Sequence, residues 1–451
     1  MRVSMLTPLP PAKTGVAHYA SMLIPALAKR VDLEVVSQHS ALSTQHSALR
    51  LYHLGNNPHH EWIYREAMAT PGVIVLHDLV LHHLIVEMTL ARGDVDGYVA
   101  ALRANHGEAG AAWARGRAAG LHSEMGNFLL PASIDVARRS RAVIVHNYYA
   151  AERLRSFGVT TPIHVVAHPF EPHPARPRPA RDERVVGFFG FLTSAKRAEV
   201  VLEAFARARQ RRAMRMLVVG EPAPNIDVDA FAAEGVAFTG FVPDEEFATY
   251  FDEVDCLVNL RYPTAGETSG TLIRALAAGK PVAVSDYAQF AELPDDCVIK
   301  IPFDGEVDAL ADFLAGELPD MAAAQRRWLE ENATIDIAAE GYLRALSPPR
   351  GERVREAGVR GAIALFPSLE ATRHGDTITL RNTGDITLKA RTYGEPGYRV
   401  IAKWDGGDRW LQLPRDLAPG EETVIVVPHR SRLYHALESI PMLDPEPFDE
   451  V

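Results

Sequence analysis

The chain has little cysteine, no long apolar run and no excess of positive charge. Only two of its 451 residues are cysteines, Cys256 and Cys297, which excludes a disulfide framework and a cysteine-based zinc site and fits a reducing compartment. No apolar run approaches the ~18 residues that a membrane helix needs, and the opening residues lack the apolar core of a signal peptide. Acidic residues outnumber basic ones by 58 to 47, which argues against a broad nucleic-acid surface. These absences predict a cytoplasmic enzyme or binding protein.

What is present is a regular alternation of short β-branched runs and amphipathic stretches over about residues 1–345. Such βα alternation predicts parallel sheets covered by helices. The predicted strands of this region are Val3–Thr7, Leu33–Ser37, Leu49–Leu54, Val73–His77, Ala142–His146, His164–Ala167, Val185–Leu192, Met214–Val219, Val236–Thr239, Asp255–Leu260, Pro281–Ser285 and Val298–Ile301. The predicted helices include Val16–Lys29, Glu199–Arg209, Asp244–Phe251, Ser269–Ala278 and Val307–Leu314, with a helical stretch over Asp320–Leu346.

A proline-rich stretch divides this region into two units. The segment His168–Glu183 contains five prolines, which resist both helix and sheet. We therefore predict a first Rossmann-like domain over residues 1–170, a linker over 171–183 and a second Rossmann-like domain over 184–346. Because ligands of such sheets bind beyond the carboxyl ends of the strands, two facing units predict a cleft between those ends.

The last part of the chain changes to a two-residue period. Residues 347–361 are rich in Arg, Gly and Pro and are predicted to be a linker, and residues 362–451 a β-sandwich. Its aromatic residues form either its core or a platform for sugar stacking, and the sequence does not decide between these. The predicted strands are Asp376–Gly384, Tyr398–Trp404, Arg409–Pro414 and Glu422–Pro428, and the aromatic residues are Tyr393, Tyr398, Trp404 and Trp410.

The most informative motif is the run RYPTAGETSGTLIRALAAGKPVAVSD at residues 261–286. A glycine-containing loop leads into an apolar helix, and glycine allows the backbone to approach a ligand closely. Thr268 and Ser269 favour a helix start, where exposed amides attract phosphate. Glu267 can accept hydrogen bonds from sugar or ribose hydroxyls. The structural alternative is a plain strand–helix–strand unit with a capped helix.

Two other loops combine glycines with a strand end. Gly190 precedes Lys196 and Arg197 at a helix start, where a cation can neutralise a leaving diphosphate. The alternative is a solvated basic pair beside ordinary turn glycines. Gly15 follows the first strand and lets a tight loop approach a ligand.

Histidines cluster at the end of another predicted strand. His77 and Asp78 end a buried strand, where an open α/β sheet presents groups that contact ligands. The alternative for His77 is a structural histidine bonded to the backbone. The spacing of His82 and His83 from these residues matches no zinc pattern. No metal site is predicted.

Together, the ordered motifs resemble the retaining glycosyltransferases of the GT-B architecture, family 4, over about residues 1–345. The matching segments are PPAKTG, HLGNNPHHEWIY with PGVIVLHDLVLHH, FFGFLTSAKR, LVVGE, VAFTGFVPDEE and the motif at residues 261–286. The resemblance implies an α/β chain of two Rossmann-like domains across a cleft. In that architecture a nucleotide sugar binds mainly to the second domain and the acceptor to the first.

The resemblance also implies roles for individual residues. His77 would contact the transferred sugar, Lys196 would bind the diphosphate, and Glu267 would hold the donor sugar; these three are the expected catalytic residues. The expected donor-binding residues are Gly15, Gly190, Arg197, Glu221, Thr268, Ser269, Gly270 and Thr271.

Two departures from the family pattern stand out. The family often carries two glutamates eight residues apart, and alignment on AAGKPV puts the second at Arg274 and the first at Gly266, one residue before Glu267. The usual ribose ligand is therefore absent. Phe191 stands where a basic residue often follows FFG, so stabilisation of the leaving phosphate falls to Lys196, with Arg197 beside it.

The resemblance thus implies a retaining hexosyltransferase-type enzyme of class EC 2.4 that acts in polysaccharide biosynthesis. Its donor would be a UDP-, GDP-, ADP- or dTDP-sugar, its acceptor a glycan, lipid or small molecule, and no cofactor is expected. Peripheral contact with the inner face of the membrane stays open. The alternatives are a nucleotide-sugar epimerase of the same fold and a non-catalytic nucleotide-sugar or glycan-binding protein. The departures at Phe191 and Arg274 favour the last alternative.

Overall fold

A computed structural model gives the architecture of the chain. It describes residues 1–12, 14–37, 49–121, 124–174, 181–190, 193–221 and 235–347, and beyond these only strand segments between residues 369 and 447. The chain divides into two compact units, Met1–Arg350 and Gly351–Val451. Both predicted Rossmann-like domains lie within the first unit, where we call them the first half and the second half.

The first half is built on a six-stranded parallel sheet with the order β2-β1-β3-β4-β5-β6. Its central strands are buried on both faces, as the near-continuous apolar runs of the sequence require. The strands are β1 (Arg2–Leu6), β2 (Asp32–Val36), β3 (Leu49–Leu54), β4 (Val73–Leu76), β5 (Ala142–Val145) and β6 (Ile163–Val165). The helices are α1 (Gly15–Ala28), α2 (Glu61–Ala69), α3 (His82–Met88), α4 (Val95–Ala118), α5 (Glu124–Leu129), α6 (Ile134–Arg139) and α7 (Tyr148–Ser156).

The second half repeats the plan with a six-stranded parallel sheet of order β12-β11-β10-β7-β8-β9. All twelve predicted strands of the first unit are present, with bounds shifted by a few residues at most. These strands are β7 (Arg184–Phe189), β8 (Met214–Val219), β9 (Val236–Phe238), β10 (Cys256–Asn259), β11 (Val282–Ser285) and β12 (Ile299–Ile301). The helices are α8 (Ala198–Arg209), α9 (Asp244–Glu253), α10 (Gly270–Ala277), α11 (Ala288–Ala291), α12 (Glu306–Ala315) and α13 (Ala322–Asn332).

The final helix of the first unit, α14 (Ile335–Leu346), packs on the first half although it follows the second in sequence. The predicted helical stretch Asp320–Leu346 breaks because Thr334 caps α14, its Oγ1 accepting a hydrogen bond from the Ile337 amide at 3.2 Å. Tyr342 then joins Tyr19 of α1 through their hydroxyls, 2.9 Å apart. The chain therefore crosses between the halves twice.

In the second unit the described strands are antiparallel, in agreement with the two-residue period. They form one sheet of order β13-β14-β17 and one of order β16-β15-β18-β19. That these sheets pack as a sandwich stays a prediction, and the linker residues 348–361 lie outside the described residues. The strands are β13 (Leu369–His374), β14 (Thr377–Asn382), β15 (Gly397–Trp404), β16 (Gly407–Gln412), β17 (Glu422–Val426), β18 (Arg432–Glu438) and β19 (Glu446–Pro447).

Candidate active site

The carboxyl ends of both parallel sheets in the first unit open onto one cleft of about 940 Å³. Its wall contains residues from α1, from the ends of β4, β5 and β8, and from the loop between β10 and α10. The structure brings most of the predicted site residues together here. Those lining the cleft are Gly15, His77, Gly190, Lys196, Glu221, Glu267, Thr268, Ser269, Gly270 and Thr271.

The loop that precedes α10 is fixed around the carboxylate of Glu267. One carboxylate oxygen lies 2.7 Å from Nε of Arg261. The other accepts hydrogen bonds from the Thr264 hydroxyl at 3.1 Å and the Ala265 amide at 3.0 Å. Gly266 follows with φ of +73°, and a Cβ there would lie 2.6 Å from Cβ of Leu79, so only glycine fits. The side chain of Glu267 is therefore held in one place, at the wall of the cleft.

The same loop is bonded to the first half across the cleft. The amide of Val80 donates to the carbonyl of Ala265 at 3.0 Å. Asn147, at the end of β5, donates from Nδ2 to the Gly266 carbonyl at 3.0 Å and to the Thr268 hydroxyl at 3.2 Å. These contacts align the motif of the second half with the strand ends of the first.

The N-terminus of α10 lies at the cleft, which Ser269, Gly270 and Thr271 line. Ser269 caps the helix, its hydroxyl accepting from the Leu272 amide at 3.3 Å and donating to Oδ1 of Asn259 at 3.1 Å. The first amides of a helix have no intrahelical acceptor, and the helix dipole favours an anion at this end. Gly270 and Thr271 thus form the floor of an anion site.

Lys196 approaches this anion site from the turn after β7. Gly190 has a φ of +88°, and a Cβ on it would lie 2.8 Å from Nζ of Lys196 and 3.1 Å from the Thr271 hydroxyl. Lys196 is buried and donates from Nζ to the carbonyl of Phe189. Burial, followed by the charge of Arg261, holds the pKa of Lys196 well below its usual range. A ligand that brings negative charge would therefore stabilise the ammonium form of Lys196.

Arg197 lies outside the lining of the cleft. Its backbone is left-handed, with φ of +56°, and Nε lies 2.8 Å from both carboxylate oxygens of the buried Glu306. Its guanidinium also stacks near the rings of Tyr262 and Phe303, at 5.8 Å and 5.6 Å from their centroids. This placement favours a structural role over the predicted donor contact, which stays untested.

His77 is the middle member of a chain of buried histidines that follows the ends of β3, β4 and β5. Its Nε2 lies 3.0 Å from Nδ1 of His53, and its Nδ1 lies 3.2 Å from Nε2 of His146. Nδ1 of His146 must donate to the Val166 carbonyl at 2.8 Å, so its Nε2 accepts from Nδ1 of His77. Nε2 of His77 then accepts from Nδ1 of His53, and each of the three neutral rings carries its proton on Nδ1. Burial lowers the pKa of His146 to about 4 and those of His53 and His77 well below their usual range. Both ring nitrogens of His77 are therefore already engaged.

A smaller pocket of about 290 Å³ opens beside the Glu267 loop. Asn56, His83 and Phe128 line it from the first half, and its acidic groups are Asp78 and Glu267. Oδ2 of Asp78 accepts from the Asn56 amide at 2.8 Å, and burial followed by the charge of Glu267 raises its pKa to about 7. The pocket combines an aromatic ring, amides and carboxylates, as a site for a polyhydroxylated ligand requires.

Gly15 and Glu221 both line the cleft. A Cβ on Gly15 would meet no described atom within 4 Å, so its smallness leaves space and is not needed for packing. Glu221 is exposed just after β8. Phe191 lies outside the described residues, so its departure from the family pattern has no structural account.

Sequence reasoning missed several residues of the site. Arg261, His53 and His146 stand at the ends of predicted strands, and the rule that selected His77 would have selected them too. Asp244 begins the predicted helix α9 and contacts Arg274, with Oδ1 3.2 Å from Nη2. No sequence signal announces that contact, because the two residues are 30 positions apart.

Neither a metal cluster nor a membrane-spanning helix is found among the described residues of the chain. The spacing Asp-x-Asp, which often binds metal in transferases that need one, does occur. Asp94 and Asp96 are exposed at the start of α4, where Asp94 accepts from the Gly97 amide at 2.8 Å. A second such pair, at residues 227 and 229, lies outside the described residues.

Comparison with known proteins agrees with this architecture. Residues 183–318 match the family model described as glycosyl transferases group 1. Among solved structures, sucrose-phosphate synthase from Thermosynechococcus elongatus matches at 16% identity with a TM-score of 0.52, covering 76% of this chain and 98% of that one. The Anabaena protein HepE, in complex with UDP and glucose, matches at 13% identity and a TM-score of 0.47, with coverage of 77% and 99%.

The lipopolysaccharide outer core galactosyltransferase WaaB is also similar, at 12% identity and a TM-score of 0.45, with coverage of 77% and 99%. A search of curated protein sequences finds no match. The second half therefore carries a glycosyl transferases group 1 domain, and the first unit has the GT-B fold.

Proposed function

We propose that this protein transfers a hexose from a nucleotide sugar to a hydroxyl group of an acceptor, with retention of the anomeric configuration. One observation carries the proposal: Lys196, Gly190 and the N-terminus of α10 converge on a single point of the cleft, directly beside the fixed carboxylate of Glu267. A cation with helix amides suits a diphosphate, and an adjacent carboxylate suits sugar hydroxyls. The group 1 domain at residues 183–318 supports the same reading.

The diphosphate would lie against the first amides of α10, with Nζ of Lys196 beside it. Burial and the charge of Arg261 give the lysine a low pKa, so its charge is weakly held. Two adjacent phosphate charges raise that pKa and favour the ammonium form. As the bond between sugar and diphosphate breaks, negative charge grows on the leaving group, and this preorganised site stabilises it.

The donor sugar would lie between Glu267 and His77. Glu267 is oriented by Arg261, and its carboxylate can accept hydrogen bonds from two hydroxyls. Because both ring nitrogens of His77 are engaged by His53 and His146, its contact with the sugar would use ring carbons or backbone. The histidine wall thereby presents a neutral surface to the oxocarbenium-like sugar.

The acceptor would enter the smaller pocket, where Phe128 offers a face for stacking and Asp78 accepts a hydrogen bond from a hydroxyl. In the reaction the acceptor oxygen bonds to the anomeric carbon on the face that the diphosphate leaves. The hydroxyl proton passes to an oxygen of the departing diphosphate, which balances the step. Lys196 and the amides of α10 supply the positive charge, so the proposal requires no metal or other cofactor.

A cytoplasmic location, a role in polysaccharide biosynthesis and peripheral contact with the inner face of the membrane belong to the same proposal. Both cysteines, Cys256 and Cys297, are buried and neither forms a disulfide, which fits a reducing compartment. Co-sedimentation with vesicles of anionic phospholipid tests the membrane contact; protein that stays in the supernatant at all lipid concentrations removes that part.

The decisive experiment incubates the protein with UDP-, GDP-, ADP- and dTDP-glucose and galactose and a set of glycan and lipid-linked acceptors, and reads products by NMR. A new glycosidic bond with the anomeric configuration of the donor supports the proposal, and an inverted product contradicts retention. Epimerised donor without transfer would indicate the epimerase alternative. Nucleotide binding without turnover by any pair would indicate the non-catalytic alternative.

A further inference from the structure

The end of the cleft remote from Glu267 holds a second fixed carboxylate. Asp244, in the first turn of α9, places Oδ1 3.3 Å and 3.2 Å from the two terminal nitrogens of Arg274. Its Oδ2 lies 3.5 Å from Nδ1 of His18, which comes from α1 in the first half. Both Asp244 and Arg274 line the cleft, as does His18.

These contacts orient Asp244 without enclosing it. Its side chain remains 62% exposed, whereas that of Arg274 is 23% exposed and lies beside the ring of Phe247, 5.3 Å from the centroid. The hydrogen bond from His18 and the charge of Arg274 lower the pKa of Asp244 to about 2. A carboxylate with two oxygens has about four acceptor positions, and Arg274 occupies both of those on Oδ1, so Oδ2, which His18 contacts once, keeps capacity for a hydroxyl donor.

The distance from the anion site to Asp244 suits the ribose of a nucleoside diphosphate. Arg274 lies one turn along α10 from the anion site at Gly270 and Thr271, a rise of about 5 Å. A ribose attached to a phosphate at that N-terminus would reach this distance along the helix with its hydroxyls. Beyond Asp244 the lining becomes apolar at Phe241 and Val242, and Phe241 is 48% exposed, as a surface for base stacking requires.

We propose that Asp244 is the group that binds the ribose diol of the donor nucleotide, and that Arg274 and His18 are positioning residues for it. The inference rests on the proposed function, because it assigns the nucleoside end of the same donor. It also accounts for Arg274. This residue stands where the family often carries a ribose-binding glutamate, and its guanidinium orients Asp244, an acid from the neighbouring helix α9. A carboxylate that accepts from a ribose hydroxyl is a general device of dinucleotide-binding sheets.

The test pairs a ligand change with a residue change. The affinity of the intact protein for UDP and for 2′-deoxy-UDP is measured by calorimetry, with GDP and 2′-deoxy-GDP, or ADP and 2′-deoxy-ADP, as the probe pair if UDP does not bind. The wild type is expected to bind the ribonucleotide about ten- to hundredfold more tightly, since a hydrogen bond to a charged acceptor is lost in the deoxy form. In Asp244→Asn this preference should fall to about twofold, with the affinity for the deoxy form unchanged.

Two further variants separate positioning from direct contact. Arg274→Gln should reduce the preference for the ribonucleotide and leave the affinity for the deoxynucleotide unchanged, because Arg274 acts through Asp244. If Arg274 bound phosphate directly, both affinities would fall equally, and its positioning role would be overturned. Asp308→Asn is the matched control, since Asp308 is 74% exposed in an ion pair with Arg207 away from the cleft.

The outcomes keep the two proposals apart. A nucleotide preference that disappears in Asp244→Asn and survives in Asp308→Asn supports the inference. A wild type that binds UDP, GDP or ADP but ignores the 2′-hydroxyl, or an Asp244→Asn variant that keeps the preference, overturns the inference and leaves the proposed function standing. A folded wild type that binds none of UDP, GDP, ADP and dTDP overturns both, whereas one that binds dTDP alone overturns only the inference.

Discussion

The two walls of the cleft are built from opposite kinds of polar residue. In the first half, β3, β4 and β5 end in the histidines His53, His77 and His146, which are buried and neutral. In the second half, the corresponding region carries the ion pair of Arg261 and Glu267, with the buried amine of Lys196 beside it. The same sheet architecture thus supplies a neutral wall on one side and a charged wall on the other.

This contrast assigns a task to each half. A diphosphate needs positive charge that is already in place, because orienting charges during the reaction costs free energy. A sugar that develops positive character gains nothing from a facing cation, and neutral imidazoles avoid that repulsion. The first three predictions below each act on one wall, and the last removes neither.

Lowering the pH should produce the largest effect, a loss of stability, because it protonates the neutral histidines of the first wall. Unfolded histidines titrate near pH 6.5, whereas burial lowers the folded pKa of His146 to about 4 and that of His168 to about 3. Between these values the unfolded chain binds more protons, so the free energy of unfolding is retained above pH 6.5 and falls as the pH falls. Each such histidine costs about 3 kcal/mol once the pH is below about 4. Asp78 and Glu292, whose pKa values burial raises to about 7, act in the opposite direction but are fewer.

Denaturant unfolding at pH 8 to 4 measures this dependence. His168→Asn keeps a donor for the Pro169 carbonyl, which His168 contacts at 2.8 Å, and should reduce the pH slope by about one proton. The exposed His59 is the matched control, and His59→Asn should leave the slope unchanged. A stability that does not change between pH 6.5 and 4 would show that the histidines are not neutral in the folded protein.

Lys196→Met removes the cation of the charged wall. Losing one preorganised electrostatic contact to a leaving group typically costs about 10²–10³ in rate, and we expect this loss in kcat. The melting temperature should change little, since methionine keeps the apolar stem and removes a poorly solvated amine. Lys29→Ala, at an exposed lysine after α1, is the control. Turnover within a few-fold of the wild type would remove Lys196 from the phosphate site.

The elements of both walls could be predicted from the sequence, while the contacts between them could not. The alternation of apolar strands and amphipathic helices is a local property, and it placed β1 to β12 and the motif at residues 261–286. The bond from Asn147 to Gly266 joins residues 119 positions apart, and the histidine chain joins three strand ends. Such contacts depend on sheet order and on the approach of the halves, which no local pattern encodes.

Glu267→Gln weakens the charged wall without removing its cation. Gln keeps the size but halves the acceptor capacity, and we expect kcat/KM to fall by about ten- to hundredfold. The change should also affect stability, since Arg261 is only 8% exposed and would lose its counterion. We therefore expect the free energy of unfolding to fall by about 1–3 kcal/mol. Glu317→Gln, 90% exposed, is the control, and full activity in Glu267→Gln would remove the loop from the donor site.

The smallest effect should follow from ending the chain after residue 350, which leaves both walls intact. The first unit, Met1–Arg350, contains both sheets, the cleft and α14, so it should fold and bind UDP or the preferred nucleoside diphosphate within about twofold of the full chain. Calorimetry and thermal unfolding of the two forms make the comparison. An acceptor KM that rises while donor affinity is unchanged would assign the second unit to acceptor binding. An insoluble product would show instead that the first unit needs the strands between residues 369 and 447, and the two walls would no longer suffice to describe the enzyme.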